Sequence, residues 1–91
     1  MTQAQYDNYI DFFKSEIKDA EETLARIEAE FANKERHLEH RRLNSEWSSY
    51  GTVIDRMQSL LRERAYWAGR LRDLRSTLAE ANRYKPETKE A

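Results

Sequence analysis

The chain has 91 residues, enough for one small domain. Charged side chains make up 36% and hydrophobic ones 38%, with one Pro, two Gly and no Cys. That profile suits long helices and excludes a disulfide framework or thiolate chemistry. No apolar run approaches the roughly 20 residues that span a membrane. The segment Met1-Thr2-Gln3-Ala4-Gln5 lacks the basic-then-apolar pattern of a secretory signal. The expected location is the cytoplasm or a viral particle.

The net charge is −1, but it is unevenly spread. Residues 1–46 carry seven Lys/Arg against eleven Asp/Glu, and residues 53–85 carry eight against four. The two halves therefore attract each other. Each exposed ion pair adds only about 0–1 kcal/mol, so the asymmetry biases pairing and does not drive it.

The first helix is predicted over residues 3–43. Thr2 is its N-cap, Gln5 completes a capping box, and Asp7 and Asp11 fall in the early turns. Its seam reads Tyr6, Ile10, Phe13, Ile17, Ala20, Leu24, Ile27, Phe31, Lys34, Leu38, Arg41. Steps of three and four alternate, which makes a heptad with Ile10 at a and Phe13 at d. The seam turns polar at Lys34 and Arg41. A turn is predicted over residues 44–51, where Asn44, Ser45, Ser48, Ser49 and Gly51 are turn formers. Trp47 and Tyr50 lie in it and are read as a lid over the last apolar layer, with a docking knob as the alternative.

The second helix is predicted over residues 52–84, with Thr52 as N-cap and Asp55 completing a box. Its seam is Val53, Met57, Leu60, Arg64, Trp67, Leu71, Leu74, Leu78, Ala81, widened at e by Ile54, Leu61 and Ala68. Pro86 stops it, and residues 85–91 form a polar tail. The fold class is all-α: an antiparallel, coiled-coil-like two-helix hairpin forming a single domain. Folding about the turn places Leu38 near Met57, Phe31 near Arg64, Ile27 near Trp67, Leu24 near Leu71 and Ile17 near Leu78.

Two helices bury one stripe each, and a fold this thin is marginal without staples or association. The apolar residues off the seam, Tyr9, Phe12, Ile54, Leu61 and Tyr66, are the candidate partner interface. Such residues form a second face for packing into a bundle, with a homodimer as the default and docking into a larger complex as the other outcome. Aromatic side chains are common interface anchors.

Arg36, Arg41, Arg42, Arg56 and Arg62 are the candidate phosphate contacts of an RNA- or DNA-binding tip. Glu35, Glu39, Asp55 and Glu63 lie among them, so a solvated ion-pair face is the preferred reading. His37 and His40 stand three residues apart on a helix, but no Cys or third His completes a metal set. No cofactor motif is read. An enzyme is not expected, because no nucleophile set or Gly-rich phosphate loop is visible.

Trp67-Ala68-Gly69 is similar to the Trp-x-Gly triplet of small secreted helical-hairpin proteins, where it occupies the turn. Here it lies inside the second helix. A short helical pair with a Tyr-Gly junction also resembles, in layout, small phage head–tail connector proteins, which implies a part in an assembly. The expected function is a structural or adaptor module that self-associates or docks into a larger complex. The alternatives are a small inhibitor of another protein and the nucleic-acid binder above.

Overall fold

The computed structural model describes residues 1–44 and 50–84. They form two helices, α1 (Gln3–Leu43) and α2 (Tyr50–Arg83). The helices pack antiparallel: Tyr6 reaches Asn82 near the chain ends, and Glu30 reaches Arg56 near the turn. The molecule is a rod of 75 × 14 × 14 Å with a radius of gyration of 20.6 Å. A globular chain of this length would have a radius of gyration of about 12 Å. Among the described residues the interior is therefore the line where the helices meet.

α1 begins with the capping box read from the sequence. Gln5 N–H donates to Thr2 Oγ1 at 3.1 Å, and Thr2 N–H donates to Gln5 Oε1 at 2.9 Å. Two backbone donors at the helix start are thus satisfied. His40, Arg41 and Arg42 occupy the last turn, where cations meet the negative end of the helix dipole.

The buried hydrophobic residues are Tyr6, Ile10, Ala20 and Ile27 from α1 with Val53, Leu60, Leu71 and Leu74 from α2. Every one occupies an a or d position of the heptads. The tightest layer centres on Ala20, which is 0% exposed. Its small side chain lets Leu71 and Leu74 close over it, and Phe13, Ile17, Leu24 and Trp67 pack around them. Leu24 and Ile17, one heptad apart, pack against this cluster from either side of Ala20 along α1. The half-polar layer also forms: the Arg64 guanidinium carbon lies 5.9 Å from the Phe31 ring centroid, a cation–π distance. Tyr6 closes the seam at the chain ends, its hydroxyl donating to Asn82 Oδ1 at 2.9 Å.

The start of the second helix departs from the sequence reading. Tyr50 and Gly51 belong to α2 and not to the turn, so Thr52 lies inside the helix and is not its N-cap. The heptad explains the shift. Counting back from Val53 puts Tyr50 at an a position, where it is half-buried. Burying part of that ring outweighs the roughly 1 kcal/mol that Gly51 costs a helix. The predicted lid residue Trp47, the Ser-rich turn, Pro86 and the polar tail lie outside the described residues.

Leu60 is the most buried large side chain, at 1% exposure. Truncation there leaves a void in a core that has no second layer to collapse into. Leu60→Ala should cost about 2–5 kcal/mol, read from the urea midpoint by circular dichroism. A loss below about 1 kcal/mol would mean that this seam is not the core.

Candidate interaction surface

Each helix has two flanks beside its seam, at heptad positions e and g. In an antiparallel pair, g meets g along one side of the rod and e meets e along the other. The ion pairs follow that rule. Glu16 with Arg70 (3.4 Å) and Glu30 with Arg56 (2.7 Å) are g–g pairs. Glu21 with Arg75 (3.5 Å) is an e–e pair. The opposite charge of the two helices is spent, in part, on clamping them together.

The five candidate interface residues do not share one face. Tyr9 occupies g, and Phe12 and Tyr66 occupy the adjoining c positions, so these three border the g side. Ile54 and Leu61 sit at e, on the opposite side. Tyr66 and Leu61 are five residues apart, which turns them about 140° around the α2 axis. Ile54 is also half-buried, so it belongs partly to the seam. The second face expected from the sequence is thus an aromatic g side plus a smaller aliphatic strip at e.

The aromatic side is the more developed. Phe12 is 56% and Tyr66 62% exposed, and Tyr9 and Tyr84 are exposed beside them. Their rings are held in place by neighbours. Tyr9 tilts against Phe13 at 4.7 Å, Phe12 stands edge-on to Phe13 at 5.4 Å, and Tyr66 stands edge-on to Trp67 at 5.3 Å. Phe13 and Trp67 are themselves packed on the core cluster. The exposed rings therefore rest on ordered supports, which lowers the entropy lost when a partner covers them.

Shallow hollows run along this side. One, of about 250 Å³, lies between Tyr9, Ala81 and Tyr84. A second, of about 500 Å³, follows α2 past Thr77, Gly69 and Tyr66, and it shares Thr77 with the first. A third, of about 410 Å³, lies near the turn, with buried Val53 in its wall and Lys34, Arg41 and Arg56 around it. All three are open troughs, not enclosed cavities.

The phosphate candidates scatter. Arg56 lies on the g side and donates two hydrogen bonds to Glu30, both at 2.7 Å. Arg42 lies at e and grips Glu39 at 2.6 and 3.1 Å. Arg62 donates to Ser59 at 3.2 Å from an outward-facing f position, and Arg36 is exposed at f of α1. Arg41 lies half-buried at the seam. His40 lies 3.3 Å from the Asn44 amide, while His37 lines the Val53 hollow, so the two rings serve different neighbours. Among the described residues no group of three His, Asp or Glu side chains is placed to hold a metal. No helix among them is long and apolar enough to cross a membrane.

Compared with known proteins, the chain matches no family model, no curated sequence and no solved structure. The surface must therefore be read from its own chemistry.

Two carboxyls have shifted titration. The hydrogen bond from Arg56 holds Glu30 below its usual value of 4.5, and Arg42 does the same for Glu39. The Arg56 and Arg42 guanidinium groups are raised in turn. A depressed carboxyl contributes stability above its unfolded value and loses it as the pH falls through the folded one. Of these two carboxyls, Glu30 is the one that links the helices. Glu30→Gln should lower the melting temperature at about pH 7, and the gap to the parent should close as the pH falls through the lowered pKa of Glu30. A gap that persists unchanged in acid would show that the Glu30 charge contributes nothing.

Proposed function

We propose that this protein is a non-enzymatic helical interaction module, which acts by laying its aromatic g side against another helical surface in a larger assembly. The observation that carries the reading is the supported exposure of Tyr9, Phe12 and Tyr66 along one side of a rod that has no other interior. Large apolar groups exposed together on an ordered support are the usual anchor of a protein interface. The hollows described along the rod are open troughs, unlike the enclosed clefts that hold small substrates.

A phosphate-binding tip draws less support. The five candidate arginines point in several directions, and Arg42 and Arg56 already hold carboxylates. Counterion release from a phosphate backbone rewards cations gathered on one face, and these are not.

The test compares the two sides. Phe12→Lys and Tyr66→Lys alter exposed positions and should leave the helical signal intact. Both should abolish association of the chain with its binding partner, measured by co-purification of the tagged chain from its native source followed by a direct titration. Leu61→Lys, on the e side, should leave that association within about threefold of the parent. Association indifferent to both g-side changes would sink the reading.

A further inference from the structure

We infer that the partner on the aromatic side is a second copy of this chain, packed head-to-tail about a two-fold axis that passes close to Gly69. The inference rests on the interaction-module reading and names its partner. Four observations carry it.

The first is the glycine. Gly69 lies deep inside α2, where glycine weakens a helix. A Cβ built there meets nothing within 4 Å, so packing within the chain does not require its absence. What a missing side chain offers is close approach by something from outside. By the heptad Gly69 sits at f, at the outer edge of the trough that Tyr66 at c also lines.

The second is position. α2 has 34 residues, and Tyr66 is its midpoint. A two-fold axis across the rod at this level sets α2 on α2 of the partner copy, with each Tyr66 beside the other copy's Gly69. It also sets the chain-end half of each rod on the turn half of the other. A self-complementary contact of this kind is closed and stops at two.

The third is charge. Around the hollows of the chain-end half are Glu16, Asp73 and Glu80 against Arg70, a net negative surface. Around those of the turn half are Arg26, Lys34, Arg41 and Arg56 against Glu30 and Glu63, a net positive one. Head-to-tail packing brings opposite signs together and sets Glu80 at the level of the partner copy's Arg56. It also lays Tyr9 and Phe12 over the hollow walled by Val53 and edged with cations, where an aromatic face is favoured. Packing with the chain ends together would stack Lys34 and Arg41 on Arg56, like on like.

The fourth is area. The two helices run side by side for about 50 Å, the length of α2, so a side 14 Å wide offers about 700 Å² per copy, close to the roughly 800 Å² of a standard stable interface.

The chain has no cysteine, so single Cys variants report contacts cleanly. Sedimentation of the parent should show a dimer. Gly69→Cys alone should cross-link to itself under mild oxidation, and Phe12→Cys mixed with His37→Cys should give the mixed dimer. Gly69→Leu should keep its helical signal at low concentration yet raise the dimer dissociation constant about tenfold or more. Cross-linking of Phe12→Cys to Glu80→Cys, with none at residue 69, would overturn the arrangement in favour of paired chain ends. A monomer at all concentrations whose Phe12→Lys variant still loses a different partner would overturn the second copy and leave the module reading standing. A monomer whose g-side variants bind as the parent does would remove both.

Discussion

A pair of helices has a single line of contact, and this chain has only a pair. Whatever apolar surface it hides must lie along that line, at a and d. The Ala20–Leu71–Leu74 layer shows the limit of what such a line can do. Ala20 is fully covered because it is small, whereas Phe13, Ile17, Leu24 and Trp67 around it remain half-exposed. Several of the large side chains do not fit wholly within one seam. Their outer edges emerge on the flanks, and there they support further aromatic rings. The exposed surface is thus a direct product of the thin fold, not an addition to it.

The electrostatics act on the same flanks. Each of the cross-helix pairs Glu16–Arg70, Glu21–Arg75 and Glu30–Arg56 is partly exposed, so none is worth much alone. Their value is in alignment. Sliding one helix by a turn would break all three together and set Glu against polar or like-charged neighbours. Apolar seams of Leu and Ile tolerate such sliding better than charge patterns do. The pairs therefore select the register, and the seam supplies the free energy.

Much of this architecture is legible in the sequence because the heptad is regular. The steps from Tyr6 to Leu38 and from Val53 to Ala81 allow one helical phase, and Thr2 with Gln5 marks the first start. The pairing of Phe31 with Arg64 also follows from counting back from the bend. Two features escaped. The start of α2 was obscured by Gly51, whose turn propensity outweighed the a-position signal of Tyr50 one residue before it. The division of the surface was obscured by treating every off-seam apolar residue as one group. The heptad letters alone separate Tyr9, Phe12 and Tyr66 from Ile54 and Leu61, since g and c lie on one side of the seam and e on the other. The troughs and the ring supports needed coordinates, because rotamers decide them.

Gly51 and Gly69 look alike in the sequence and differ in physical meaning. Neither has a neighbour that a Cβ would strike. At Gly51 the glycine lies in the first turn of α2, where its cost to the helix is small. At Gly69 the helix continues for many residues on both sides, and no bend needs the freedom. A glycine there gives up about 1 kcal/mol relative to alanine, which is a sizeable share of the stability available to a single-seam fold. Nothing inside the hairpin returns that loss. On our proposal a surface that gains by close backbone approach returns it, and among the described residues a trough lined by Gly69 is also lined by Tyr66.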